Sequence, residues 1–546
     1  METPSATPDS SSRARVCFGS WLLVLLVLLF AGCVRIRLLD LPLERDEGEY
    51  AYAGQLILQG IPPYELAWNM KLPGTYLAYA LGMALFGQTT SGVHLTLLLV
   101  NSLTIVFVFL LGRKLFGNLA GIVACASYAV MTLSPAVAGL AAHANHFVVL
   151  FAVPGILLLL RAVETGAGKL FFGSGLLLGL SFLMKQQGAC FGLFGAGYLA
   201  WTGWQKRELL SKPSARKILG FGAGLALPFA LTCLWLAFAG VFGRFWFWTV
   251  VYARIYETAM PLATGIQGCL VEHLRQTRDL SAGFWLLTLA GMIAAGSQRA
   301  FRRPLAFAVA LWCFSFLGTA AGFYFRGHYF ILLLPAFALL TGMAVAALRS
   351  AWRFTWLADV FKSLPVIAFG LVLAWAIYDQ AQPLFQWPPA EASRNLYPRN
   401  PFVEAVAVGN HLRENSPVRA TVAVMGSEPE IYFYARRHSA TGYIYTYALM
   451  ESQPHALEMQ RDMVREIETN RPDFLVQVQA QLSWLPNPDS PRYLSDWFES
   501  YARDHYDKIG VVGFGAGGKL ASLWDGTNLD SVSLSEPLVV FRRKPD

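Results

Sequence analysis

At 546 residues, with 55% hydrophobic and 14% charged side chains and a mean hydropathy of +0.43, the chain is too poor in charge for a soluble enzyme. It reads as a polytopic membrane protein. The formal net charge of +8 does not point to nucleic acid, because the cationic excess of a membrane protein collects in its cytoplasmic loops.

The first apolar run covers residues 16 to 34. Leu29-Phe30-Ala31-Gly32-Cys33 loosely resembles a lipoprotein cleavage box, but the run is long for a signal peptide and is read as an uncleaved span. Immediately after it comes Arg45-Asp46-Glu47-Gly48-Glu49-Tyr50, and some twenty residues later Lys71-Leu72-Pro73-Gly74. Further apolar runs long enough for a hydrocarbon core of about 30 Å lie near 92 to 112, 118 to 141, 146 to 163, 170 to 184, 188 to 204, 217 to 240, 281 to 298, 304 to 323, 328 to 348 and 360 to 378. Residues 72 to 86 are short and hold Pro73, Gly74 and Gly82, so they either span or lie along the interface.

Charge decides between the two. With 72 to 86 at the interface, Arg13 and Arg15, Arg113 and Lys114, Arg161 and Lys169, Lys206 through Lys217, Arg299 with Arg302 and Arg303, and Arg349 with Arg353 all fall on one side. This gives about eleven transmembrane helices, a cytoplasmic N-terminus, and an extracytoplasmic position for Asp46, Lys71 and everything past about 380. The expected organisation is a transmembrane module over 1–383, with a first outer loop over 35–91, and an α/β domain over 384–546. In that domain 421–425, 473–478, 509–512, 519–524 and 538–542 read as strands, and 451–470 and 497–505 as helices. Seven cysteines, none beyond Cys313 and none in a CxxC pair, give neither a disulfide framework nor a thiolate metal site.

Asp46 lies where a span meets water, a setting that desolvates a carboxylate and raises its pKa toward that of a general base. On a helix Asp46, Glu49 and Tyr50 share a face, with Glu47 as support; the plain alternative is a solvated acidic loop. Lys71 would place its ammonium at the level of lipid phosphates, unless it merely snorkels. Lys185, Arg326 and His328 sit on other turns of the same side, and Arg254 lies in an aromatic-rich segment suited to the interface plane. His143 and His146 have a metal-compatible spacing, but no third ligand is evident nearby, so no metal ligands are assigned. The glycine-rich run 513–518 reads as a hairpin rather than a dinucleotide loop, and there is neither a Walker A loop nor a GxSxG elbow.

Asp46-Glu47, Lys71-Leu72-Pro73-Gly74, Leu85-Phe86-Gly87, Gly112-Arg113-Lys114-Leu115-Phe116-Gly117, His328-Tyr329-Phe330 with Leu334-Pro335, and Gly426-Ser427-Glu428-Pro429-Glu430-Ile431-Tyr432 form a set. It resembles the polyprenyl-phosphate-dependent glycosyltransferases of the GT-C fold, the group of the protein O-mannosyltransferases and the lipid A aminoarabinose transferase. The resemblance implies inverting transfer of a sugar from a polyprenyl-phosphate donor to a hydroxyl acceptor (lipid, glycan or protein) on the extracytoplasmic face. It assigns the base to Asp46 and the lipid phosphate to Lys71 and, less directly, Lys185. Many members have Pro-Pro after that lysine where this chain has Leu72-Pro73-Gly74. The expected partners are the donor, the acceptor and membrane lipids, not nucleic acid; no cofactor is assigned, and a divalent cation beside Asp46 and Glu47 stays open. A transporter or flippase is the alternative, but its ionisable residues would lie at the bilayer midplane and not, as here, at one boundary.

Overall fold

The computed structural model describes residues 10–207, 211–280, 282–351, 358–515, 517–525, 529 and 533–545. Arg353 and Ala516, and the side chains of Arg13 and Arg15, lie outside the described residues. Among the described residues, seven helices are long and apolar enough to cross a membrane, and three shorter apolar helices accompany them. The chain is a multi-pass membrane protein with a C-terminal sheet domain.

Helix α1 (Ser10–Arg37) ends on Arg35 and Arg37. Neither contradicts the charge rule, because both are tied to backbone carbonyls: Arg35 donates to Thr132 and Gly139, and Arg37 to Leu384 and Trp387. Helix α2 (Arg45–Leu58) starts at a capping box, in which Glu44 accepts from the Glu47 N–H and Glu47 accepts from the Glu44 N–H. Helix α3 (Pro73–Phe86) has 14 residues, a rise of about 21 Å that falls short of a hydrocarbon core of about 30 Å. It lies along α2 and buries Tyr76, Tyr79 and Met83 there.

Helices α4 (Thr90–Phe116), α5 (Asn118–Met131), α6 (Ala144–Thr165), α7 (Gly168–Met184), α8 (Ala189–Gln205) and α9 (Lys212–Phe238) follow. Two expected spans are shorter than hydropathy suggests. The run 118 to 141 stops being helical at Met131, and residues 132–143 turn back through a short 3-10 turn at Pro135–Val137. Pro135 bars an α-helical Ser134, so the apolar letters continue while the helix does not. The run 328 to 348 begins as a 3-10 turn, Gly327–Leu332, and its helix is Leu334–Ala351. Both breaks deliver a histidine, His143 and His328, to one end of the bundle.

The C-terminal sheet has the order β2-β1-β3-β6-β4-β5, from β1 (Thr421–Met425), β2 (His438–Ser439), β3 (Phe474–Val478), β4 (Tyr506–Phe514), β5 (Leu520–Trp524) and β6 (Ser535–Arg543). β2, β1 and β3 are parallel, and the other pairings are antiparallel. The glycine-rich run joins β4 to β5, with the Gly515 N–H donating to the Lys519 carbonyl. The domain is docked on the membrane part: the Trp68 N–H donates to Gly442, the Leu43 N–H to the Tyr434 hydroxyl and the Ser439 N–H to the Tyr52 hydroxyl.

Gly48 on α2 makes this docking possible, since a Cβ there would sit 2.5–2.7 Å from Glu430. Gly48→Ala is therefore expected to destabilise the protein by about 1–3 kcal/mol through overpacking. A thermal melt in detergent checks this, and an unchanged midpoint would contradict the close approach.

Candidate active site

The acidic stretch divides into two roles. Glu47 is fully buried; its carboxylate takes the Ala142 N–H at 2.6 Å and faces His94 Nε2 at 3.1 Å, besides closing the capping box. It fastens the turn 132–143 to α2 and does not line the cavity, which corrects its expected place beside the reacting groups. Asp46, one residue earlier, faces the other way. Its Oδ1 accepts from Lys71 Nζ at 2.5 Å and from the Tyr445 hydroxyl at 3.0 Å. Its Oδ2 lies 3.7 Å from His143 Nδ1 and 4.0 Å from His328 Nε2.

Glu49 shares the face of Asp46, as helical spacing predicts. It takes Lys71 at 2.9 Å, the Tyr76 hydroxyl at 2.5 Å and the Asn69 amide at 2.7 Å. Lys71 thus gives two of its three N–H donors to carboxylates, while its ammonium rests on the rings of Tyr50 and Tyr445. With two donors on Asp46 and Glu49, Lys71 keeps one N–H for the expected phosphate contact, and it lines the cavity described next. Gly74 brings the Lys71 loop against α7, since a Cβ there would stand 2.4 Å from the Leu183 carbonyl.

These groups open onto a cavity of about 850 Å³ between the membrane helices and the sheet domain. Asp46, Tyr50, Lys71, Lys185, Arg326 and His328 all line it. Arg254 does not; it is exposed on the outer side of Ala253–Thr258, whose Tyr256 and Ile255 face inward. Lys185 caps α7, donates to Asn145 at 3.1 Å and lies over the ring of Tyr329. Arg326 lies over Tyr324. Neither cation has a carboxylate within salt-bridge distance among the described residues, so both are available to an anion. His143 and His328 stack with centroids 4.1 Å apart.

Burial would raise the Asp46 carboxyl, but Lys71 and the two imidazoles outweigh it and hold it well below the usual carboxylate range. This reverses the expectation from desolvation alone. Burial lowers Lys71, but Asp46 and Glu49 more than compensate and hold it well above its ordinary value. Burial pushes Lys185 down to about 7, with Asp46 opposing the fall only in part and Lys71 and Arg326 adding to it. Burial, His143 and Lys185 keep His328 well below its ordinary value.

Sequence reasoning missed Tyr445 and the stacking of His143 on His328. His146 turns away to Asn101, and the partner of His143 is His328. Tyr445 comes from the sheet domain, 399 positions from Asp46; its only local signal is the alternation of Tyr443, Tyr445 and Tyr447.

Residues 71–235 match the family model described as dolichyl-phosphate-mannose-protein mannosyltransferase. Across nearly its whole length the chain also superposes on solved membrane glycosyltransferases, and its fold is the GT-C fold. ArnT from Cupriavidus metallidurans bound to undecaprenyl phosphate aligns with a TM-score of 0.59 at 14% identity, over 95% of this chain and 97% of that one. The Archaeoglobus fulgidus oligosaccharyltransferase in its apo form gives 0.50 at 13% identity, over 94% and 76%. In sequence, the undecaprenyl phosphate-alpha-4-amino-4-deoxy-L-arabinose arabinosyl transferase of Pseudomonas aeruginosa (strain UCBPP-PA14) is 29% identical over 227 residues, 37% of this chain. The chain spans 38% of the length of that relative.

Proposed function

We propose that the protein is an integral-membrane, inverting glycosyltransferase that moves a sugar from a polyprenyl-phosphate donor to a hydroxyl acceptor. One observation carries this reading: a carboxylate, Asp46, is fixed by one oxygen to Lys71 and Tyr445 and turns the other into a cavity that also receives two cations, Lys185 and Arg326, with no carboxylate within salt-bridge distance among the described residues. Transfer from a phosphate ester needs little acid catalysis, because the leaving group is already weakly basic; it needs cations to steady the departing charge. Lys185 and Arg326 supply these, with the remaining Lys71 donor beside them. The acceptor hydroxyl needs a base on the opposite face of the anomeric carbon, and Asp46, kept ionised by Lys71 and the imidazoles, takes its proton as the new glycosidic bond forms and the hydroxyl turns acidic. The curated relatives named for undecaprenyl-phosphate-linked donors support the same donor class.

The basic turns favour an orientation with the N-terminus in the cytoplasm of a plasma or inner membrane and the sheet domain outside. Lys114 pairs with Glu164, and Phe116 lies near Phe301, so three basic turns cluster at one end of the bundle. The cavity opens at the other. In this reading residues 1–383 carry the transfer chemistry, and 384–546 close the cavity and contribute Tyr445.

Purified protein incubated with a panel of polyprenyl-phosphate sugars and a membrane lipid extract is expected to release polyprenyl phosphate from one of them. Failure on every donor would sink the reading.

Lys185 adds a pH dependence. It is charged below about 7 and loses its charge as pH rises, with Asp46, Glu44, Lys71, Arg326 and His328 as its charged or titratable surroundings. Donor capture, read as kcat/KM, is expected to fall between about pH 7 and pH 9 in the wild type, and less in Lys185→Arg, whose guanidinium stays protonated. Parallel profiles would remove Lys185 from the phosphate site.

A further inference from the structure

We propose that the end of the bundle where the basic turns gather, away from the Asp46 cavity, carries a binding site for the phosphate headgroup of one anionic phospholipid. The ends of α6, α7, α8 and α9 leave a small cavity of about 40 Å³ there, lined by Lys206, Lys217, Thr202, Ser214, Phe171 and Ile218 among others. A water-sized position needs about 10–15 Å³, so the cavity takes about three of them, the size of the terminal oxygens of one phosphoryl group. Lys206 caps the C-terminal end of α8, and Lys217 lies in the second turn of α9. Neither ammonium has a carboxylate within salt-bridge distance among the described residues, and no described carboxylate lines the cavity.

A second observation is independent of the charge. Ser214 is 8% exposed and lines the cavity, and its hydroxyl has no partner among the described residues; the cap of α9 uses only its backbone N–H, which donates to Ser211 Oγ. An unmade hydrogen bond at so buried a hydroxyl is costly, and a phosphate oxygen would accept it. The positive end of the 27-residue helix α9 favours the same anion. Lysines merely solvated at a membrane boundary are the competing explanation, and it leaves both the cavity and Ser214 without a role. The apolar side of the site places the phosphate on a lipid. Ile218, Leu219 and Trp204 are 41%, 72% and 70% exposed around it, a surface for acyl chains and not for a soluble phosphate. Basic pockets between membrane helices hold anionic headgroups in this way. Two cations without a counter-charge also select against a headgroup that carries its own amine, so phosphatidylglycerol is preferred over phosphatidylethanolamine. The site depends on neither Asp46 nor the glycosyl-transfer reading.

The test titrates delipidated, full-length protein in a neutral detergent with phosphatidylglycerol, phosphatidylethanolamine or inorganic phosphate. Native mass spectrometry counts the bound lipid, and a thermal melt reads the stabilisation that binding brings. One phosphatidylglycerol per chain is expected, held at least about tenfold more tightly than phosphatidylethanolamine. That preference should vanish when Lys206→Gln and Lys217→Gln are combined, and phosphatidylglycerol should bind a few-fold more weakly in Ser214→Ala. Combining Arg299→Gln with Arg303→Gln removes two exposed charges from another basic turn of the same end and should leave binding as in the wild type. Elution volume shows that each variant is folded. Equal retention of the two lipids, or the same loss in the arginine control as in the lysine variant, overturns the site. Inorganic phosphate is expected not to raise the melting midpoint; stabilisation matching that by phosphatidylglycerol would make this a site for a soluble phosphate and overturn the lipid assignment.

Discussion

Asp46→Asn is expected to fold, insert and keep its donor contacts, but to lose transfer by about 10²–10⁴-fold, the range for removing a positioned proton acceptor. The substitution is nearly isosteric. The Asn carbonyl still accepts from Lys71 and Tyr445, so the hydrogen bonds that fix Asp46 Oδ1 survive. The amide that replaces Oδ2 can donate toward His143 and His328 but cannot take a proton from the acceptor. The loss should appear in kcat with little change in donor KM, because the cations Lys185 and Arg326 are untouched. Initial rates across donor concentration, with a thermal melt as the folding control, check this, and transfer within a few-fold of the wild type would remove Asp46 as the base.

Lys71→Met is expected to damage both activity and stability. Its ammonium is the shared partner of Asp46 and Glu49, whose side chains are 18% and 1% exposed. Removing one member of a buried ion pair leaves the other charge uncompensated and costs about 3–5 kcal/mol. Glu49 would answer by taking up a proton, since burial already raises its carboxyl and only Lys71 and hydrogen bonding oppose that. Asp46 would lose the contact that orients it, so kcat falls along with stability. Adding Glu49→Gln to Lys71→Met should recover much of the stability but little of the activity. Equal recovery of both would mean that Lys71 matters only for folding.

The site was legible in the sequence where charge is scarce. Asp46, Lys71, Lys185, Arg326 and His328 stand out because an ionisable residue at a membrane boundary needs a reason to be there, and the structure gathers all five at one cavity. Glu47 misled because Glu44 and Glu47 have the spacing of a capping box, and the same letters serve a helix cap or a pair of catalytic acids. Arg254 misled because hydropathy and aromatic content place a segment at the interface without saying which side of the turn faces the cavity. Tyr445 was not legible, since only the docking of the sheet domain brings it to Asp46. The sheet strands followed from alternation and apolar runs, whereas the bundle was read too regularly: the helix break before Pro135 interrupts no apolar run.

The central claim is that Asp46 drives inverting transfer from a lipid-linked phosphate, and the anomeric configuration of the product tests it most directly. With the donor identified from the panel, NMR of the glycosylated acceptor is predicted to show the opposite anomer to the donor's, formed one-for-one with polyprenyl phosphate and absent with Asp46→Asn. Retention of the donor's configuration, or the same product from Asp46→Asn at the wild-type rate, would contradict it.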